Sequence, residues 1–330
     1  MGIMQKHGVT LSDLYEARRT IAPFVRRTPL VPSAALSQHT GASVHLKLET
    51  THDTGAFKIR GATNRLAQLR PEERERGVVA VSTGNHGRAV AYAARRMGAR
   101  ATVCMSELVP RNKVDAIRAL GAEVRIVGRS QDDAQVEAER LTQEEGLTFI
   151  HPFDDPYIVA GQGVIGLELL EDLGSVDVAL VGLSGGGLIA GIAIALKAAN
   201  PRTRIVGISM KRGPAMYESI RAGKPVAVTE EATLADSLGG GIGLDNRYTF
   251  GLVSQYVDQY ILLDEAQIGA GMRHLYREER VVAEGGAAVG VGALLEGLAG
   301  RVEGNVVCII SGNNVDMDIF TDIVTGKYKY

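Results

Sequence analysis

The stretch "VDVALVGLSGGGLIAGIAIALKAAN", residues 176–200, decides the fold. A short run of apolar, β-branched residues ends in glycines, and an apolar helical segment follows at once. That order reads as strand, tight loop, helix, the unit of a parallel α/β layer. The helix at 187–200 is nearly all apolar, so it is expected to be buried on most sides.

Outward from this unit the same rhythm recurs. N-terminally, "GVVAVS", "RATVCM", "EVRIVG" and "LTFIHPF" read as strands. They alternate with helices in "GNHGRAVAYAARRMGA", "RNKVDAIRALGA" and "SQDDAQVEAERLTQEEG", and a further helix is expected over 158–173. "RIVGISM" and "VVCII" are later strands, and "ASVHLKLE" (42–49) alternates as an early one. Residues 11–25 read as a helix capped by Ser12 or Asp13. Short loops between alternating elements imply parallel sheets with helices on both faces. Helices of the first half are heavily charged and their strands short. The expected organisation is therefore a small, solvated α/β domain over 75–152. A larger discontinuous domain over 1–74 and 153–330 stands beside it.

The chain has 330 residues, 45% of them hydrophobic and 22% charged, with net charge −2. That is a globular balance with no pull toward nucleic acid or an anionic membrane. No segment approaches the ~18 apolar residues of a membrane span, and no signal peptide is read at the N-terminus, so a cytoplasmic protein is expected. Cys104 and Cys308 sit in apolar runs and are read as buried free thiols. Seven scattered His, with neither HExxH nor CxxC, give no zinc site.

Forty glycines are clustered rather than dispersed. "STGNHGRA" (82–89), "LSGGGLIAG" (183–191) and "IISGNNVD" (309–316) each follow a strand. In parallel sheets ligands bind beyond the carboxyl ends of strands, so the three loops could converge on one crevice. Residues 184–188, SGGGL, align backbone N–H groups at a helix N-terminus, which favours a phosphate; a tight strand-to-helix turn is the alternative. No Walker lysine follows. Gly185, Gly187 and Ala190 also fit a dinucleotide fingerprint, with Lys211 and Arg212 near the end of the next strand, so an NADP-dependent oxidoreductase is the competing reading. Gly161, Gly163 and Gly166 repeat the spacing without a strand directly before them.

Lys58, in "ETTHDTGAFKIRGA" (49–62), stands between Phe57 and Ile59. A desolvated lysine loses basicity and becomes a nucleophile. Lysine, anion loop and polar strand ends together suit pyridoxal 5′-phosphate, an aldehyde to hold as a Schiff base and a phosphate to cradle.

"TGAFKIRGA", "STGNHGRA", "SGGGL" and "SGNNVD" occur in the order and spacing of the fold-type II pyridoxal-phosphate enzymes. Over nearly its whole length the chain resembles their serine/threonine dehydratase and serine racemase group, with the tryptophan synthase beta-like fold of two open, twisted, parallel-type sheets. Within the group it is most similar to the dehydratases of bacterial hydroxyectoine utilisation. The resemblance implies roles position by position. Lys58 forms the Schiff base and moves the α-proton, and Phe57 packs near the ring. Asn85 bonds the ring 3′-oxygen. Ser82, Thr83, Gly84 and His86 receive the substrate carboxylate. Ser184, Gly185, Gly186, Gly187 and Leu188 hold the phosphate, and Ser311 faces the pyridine nitrogen. A serine there implies a mild electron sink suited to β-elimination. Gly239 and Gly240, with Gly241, match a glycine loop near cofactor and substrate, and Glu284 matches an acid at the ring edge, with a purely structural role as the alternative.

Thr83 stands where the racemases carry their opposite-face serine; its methyl restricts the rotamer, so racemisation is the weaker expectation. Ser209, Gly213 and Ala215 replace the acids of a divalent-cation site found in some relatives, so no metal is expected. His52, Asp53 and Ala56 depart from the group's pattern, and altered substrate contacts near Lys58 are expected from them; Asn313 replaces a glycine of the pattern and either alters the pocket or simply tolerates the backbone conformation. The chain ends at Tyr330, soon after the Ser311 loop, so isoleucine feedback through a tail domain is not expected. A homodimer acting on a small amino acid completes the implied picture.

Overall fold

A computed structural model describes residues 8–330 except Thr83 and Pro110. Among the described residues ten strands form two sheets: β1 (Leu30–Pro32), β2 (Ser43–Leu48), β3 (Val78–Val81), β4 (Ala101–Met105), β5 (Glu123–Ile126), β6 (Thr148–Phe149), β7 (Val178–Gly182), β8 (Arg204–Met210), β9 (Gln259–Leu263) and β10 (Asn305–Ile310). The larger sheet runs β1-β2-β10-β7-β8-β9 and the smaller β5-β4-β3-β6. Every pairing is parallel except β1 with β2, where Leu30 faces Lys47 across an antiparallel edge.

β7, β8 and β10 are almost wholly buried, because helices cover both faces and leave no solvated side. The Gly187–Ala199 helix is buried from Gly187 through Leu196, as its apolar sequence requires. It packs on the Pro156–Leu173 helix, and there the second glycine repeat finds its purpose. A Cβ on Gly161 would lie 2.7 Å from Gly61 Cα, and one on Gly163 would lie 2.9 Å from Gly191 O. Gly161, Gly163 and Gly166 are thus a seam of close helix approach. Cys104 and Cys308 are free and buried, and burial pushes both thiols up.

Three local readings need correction. The first helix spans Leu11–Ile21 and is capped by Thr10, whose side chain accepts from Asp13 N–H while the Asp13 carboxylate accepts from Thr10 N–H. Neither Ser12 nor Asp13 is the cap; the reciprocal box needs the acid three residues in. The "LTFIHPF" strand shrinks to Thr148–Phe149. Ile150 N–H still reaches Val79 O, but His151 Nδ1 then accepts the N–H groups of Phe153 and Asp154 and turns the chain away. β1 and β9 were not read from the sequence; β1 is three residues long with no visible alternation.

Candidate active site

The ends of β3, β7 and β10 open on one cavity of about 1050 Å3, the three glycine loops among its walls. Phe57, Lys58, Ser82, Gly84, Asn85 and His86 line it. So do Ser184, Gly185, Gly186, Gly187, Leu188, Gly239, Gly240, Glu284 and Ser311. Of the cofactor- and substrate-site residues that the resemblance implies, only Thr83 is not placed there, and it lies outside the described residues.

Lys58 is the first residue of the Lys58–Ala67 helix. The loop before it is stitched to the loop after β10: Phe57 N–H donates to Ser311 O at 3.0 Å, and Asn313 N–H to Gly55 O at 2.9 Å. Gly55 has φ +73°, and a Cβ there would collide with the Asn313 side chain. Two motifs more than 250 positions apart are thereby held as one bridge. Lys58 Nζ donates to Pro152 O at 2.7 Å and stands 5.4 Å from the Phe57 ring centroid. Burial lowers its pKa to about 8, against the pull of Glu284.

Asn85 opens the Asn85–Met97 helix. Its Nδ2 donates to Glu284 Oε1 at 2.8 Å, and its Oδ1 accepts from Asn314 Nδ2 at 2.6 Å. Asn314 N–H donates to Glu284 Oε2 at 3.1 Å, and Arg88 Nη1 donates to Asn314 Oδ1 at 2.8 Å. Burial raises the Glu284 carboxyl above the usual range, with Asp236 adding to it. Ser311 is buried beside this network. His86 is buried with Nε2 at 2.8 Å from Ile150 O, and burial drops its pKa to about 3. It is a neutral ring with one nitrogen committed to the backbone.

At Gly186 the chain takes φ +88° and enters the Gly187–Ala199 helix without any side-chain cap. Its first backbone bond is Ala190 N–H to Gly186 O, so the amides before Ala190 are free of the helix's own carbonyls. A cap side chain would fill this cradle; its absence beside a desolvated lysine suits a cofactor that carries both a phosphate and an aldehyde. Lys211 and Arg212 do not line the cavity. Lys211 Nζ pairs with Asp264 Oδ2 at 3.1 Å and Arg212 Nη1 donates to Ala232 O. The dinucleotide reading therefore loses its basic pair.

Residues 21–312 match the family described as "Pyridoxal-phosphate dependent enzyme". The chain belongs to this family. Pyridoxal phosphate is accordingly its cofactor, and the NADP reading falls. Among pyridoxal-phosphate enzymes, a Sinorhizobium fredii protein provisionally named a threonine dehydratase is 53% identical over 321 residues, 97% of each chain. The L-threonine ammonia-lyase of Thermotoga maritima is 43% identical over 317 residues, 96% of this chain and 78% of that one. The structure of maize serine racemase superposes with TM-score 0.89 at 33% identity, covering 97% of this chain and 98% of that one.

The departures from the family pattern turn out to be structural. Ala56 is fully buried against Gly312, His52 Nε2 bonds Glu49 Oε2 at 2.9 Å, and Asp53 joins Arg26 to the Tyr92 hydroxyl. Asn313 reaches Thr50 O. None of the four lines the cavity, so the expectation of altered substrate contacts is not met by these side chains. Sequence reading missed Asn314, Arg88 and the segment His151–Asp155, all at the cavity. Only Asn314 carried a signal, as the polar residue following the altered third position of "SGNNVD".

Proposed function

We propose that this pyridoxal-phosphate enzyme is an ammonia-lyase that removes water from a β-hydroxy amino acid, giving a 2-keto acid and ammonia. The carrying observation is Lys58, an amine lowered to about 8 in the wall of the cavity where the three glycine loops meet. Threonine and serine are the generic substrates. The finer reading is a hydroxylated diaminobutyrate derived from hydroxyectoine, which rests on the overall sequence likeness.

When bound, the cofactor withdraws electrons from the substrate Cα. The chain supplies everything else. Lys58 carries a substantial neutral fraction near pH 8, so it can hold the aldehyde carbon and later accept the α-proton at Nζ. The N-terminus of the Asn85–Met97 helix offers backbone donors to a carboxylate. Gly185, Gly186, Gly187 and Leu188 would hold the phosphate, Asn85 retains one amide N–H beyond the bond to Glu284 that would serve the ring oxygen, and Ser311 would meet the ring nitrogen. The β-hydroxyl departs with a proton as water, and the enamine product hydrolyses to the keto acid and ammonia.

A racemase on the same site is the second reading, favoured by the likeness to maize serine racemase. We further read 75–152 as a small domain that moves over 1–74 and 153–330, and the protein as a cytoplasmic homodimer. The four-stranded sheet falls within 78–149, which supports that division. The test is the visible spectrum of the purified protein with a panel of β-hydroxy amino acids. Keto acid release and a yellow band absent from Lys58→Ala are expected. Accumulation of the opposite enantiomer without keto acid overturns the lyase reading.

A further inference from the structure

Beyond β6 and Ile150, five residues, His151 to Asp155, carry the chain to the Pro156–Leu173 helix, and four are tied to other parts of the structure. Pro152 gives its carbonyl to Lys58 Nζ. Phe153 lies against Gly185, where a Cβ would strike its ring. Asp154 accepts from the backbone N–H groups of Arg247, Tyr248 and Thr249. Asp155 caps its own helix and pairs with Arg65 Nε at 3.0 Å.

His151 differs. Its Nδ1 accepts from Phe153 N–H at 3.2 Å and from Asp154 N–H at 2.8 Å. An accepting Nδ1 is unprotonated, so the neutral ring carries its hydrogen on Nε2. Phe149 and Phe153 meet the imidazole edge-on, at centroid distances of 6.1 and 4.7 Å, and fix its plane. Burial holds the ring below its ordinary pKa, against Asp154 and Asp155. Loss of the Nε2 hydrogen would leave an imidazolate, so this ring is a hydrogen-bond donor rather than a proton carrier. It lines the cavity beside Lys58, and Nε2 has no acceptor among the described residues.

We propose that His151 is a substrate-binding residue whose Nε2–H holds an oxygen of the amino acid placed beside Lys58. The inference rests on the amino acid reading above. Phe153 touches both His151 and Gly185, so it takes the ground between this ring and the phosphate loop, whose donors are backbone amides.

Two variants of the holoenzyme separate the ring's two nitrogens. In His151→Asn the side-chain oxygen can take the place of Nδ1 and keep both backbone bonds, while the distal donor is lost. In His151→Gln a donor reaches as far as Nε2, while the backbone bonds are lost. Four quantities are read: kcat, KM, cofactor affinity by absorbance titration of apoenzyme, and melting temperature. Asn is expected to keep melting and cofactor affinity within about twofold of wild type while raising KM about tenfold, the worth of one hydrogen bond. Gln is expected to recover part of KM and to melt lower. Asn kinetics within twofold of wild type would make His151 a brace only, and weakened cofactor binding with unchanged KM would place its donor on the phosphate; either overturns the proposal. Spectral titration with L-serine and L-threonine reads binding even where no keto acid forms. It thus separates failure of the lyase reading from failure of this one, and a wild-type protein that binds neither these two nor any other member of the β-hydroxy amino acid panel overturns both.

Discussion

Asn85 Nδ2 donates to Glu284 Oε1 at 2.8 Å across 199 positions of sequence. The contact joins the helix that follows β3 of the small sheet to the residue that starts the Gly285–Leu295 helix against the large one. Asn85→Leu would leave Glu284 Oε1 without this donor and Asn314 Nδ2 without one of its acceptors. Asn314 Nδ2 keeps its bond to Thr54 O, so a loss of about 1–3 kcal/mol in all is expected in urea unfolding of the apoenzyme.

Lys58 should set the pH dependence of cofactor capture. Only the neutral amine attacks an aldehyde, and burial brings its pKa from 10.5 to about 8. The rate of reconstitution of apoenzyme, followed by absorbance between about pH 6 and 10, is expected to rise about tenfold per pH unit and level off above about 8. A rise that continues past pH 10 would mean an ordinary, solvated lysine.

His86 should contribute to acid sensitivity. Its folded pKa is lowered to about 3 from 6.5, so below 6.5 the unfolded chain binds a proton that the folded chain refuses. This share of stability is complete above pH 6.5 and is lost, at about 1.4 kcal/mol per pH unit, as pH falls toward 3. His86→Gln, whose amide can still donate to Ile150 O, is expected to lose about 2 kcal/mol less than wild type between pH 7 and pH 5.

Gly185 and Phe153 should be energetically coupled. A Cβ at 185 collides with the Phe153 ring, so Gly185→Ala must displace it and tilt the phosphate loop. Cofactor affinity is expected to fall at least about tenfold, and Phe153→Ala in the same protein should recover part of it. Additive effects in that double-mutant cycle would show that the ring does not set the loop.

Arg60, two residues past Lys58, is buried among carboxylates. Its guanidinium bonds both oxygens of Glu49 at 2.7 and 2.9 Å and both oxygens of Glu168 at 2.7 and 2.9 Å. Lys47 Nζ meets Glu168 Oε2 at 2.7 Å. Arg60→Met leaves two buried acids short of a cation, and a loss of about 3–5 kcal/mol is expected. Arg60→Lys should recover little, because one ammonium cannot serve two forks.

Sequence alone determined the alternation of elements, the apolar helix after β7, the glycine loops at strand ends and the residue types around Lys58. Each of these is local: periodicity, left-handed glycine turns and apolar neighbours act within a few residues, so they are written in order along the chain. The family motifs added which loops meet, because spacing preserved over the whole chain reflects one fold. Tertiary structure alone decided the rest. It made Gly161, Gly163 and Gly166 a packing seam rather than a nucleotide loop. It turned His52, Asp53, Ala56 and Asn313 away from the cavity, and it brought Asn314, Arg88 and His151 to it. Those outcomes depend on which side chains meet in space, from three to more than 200 positions apart, and hydrogen bonding and burial at such contacts leave no periodic mark in the sequence.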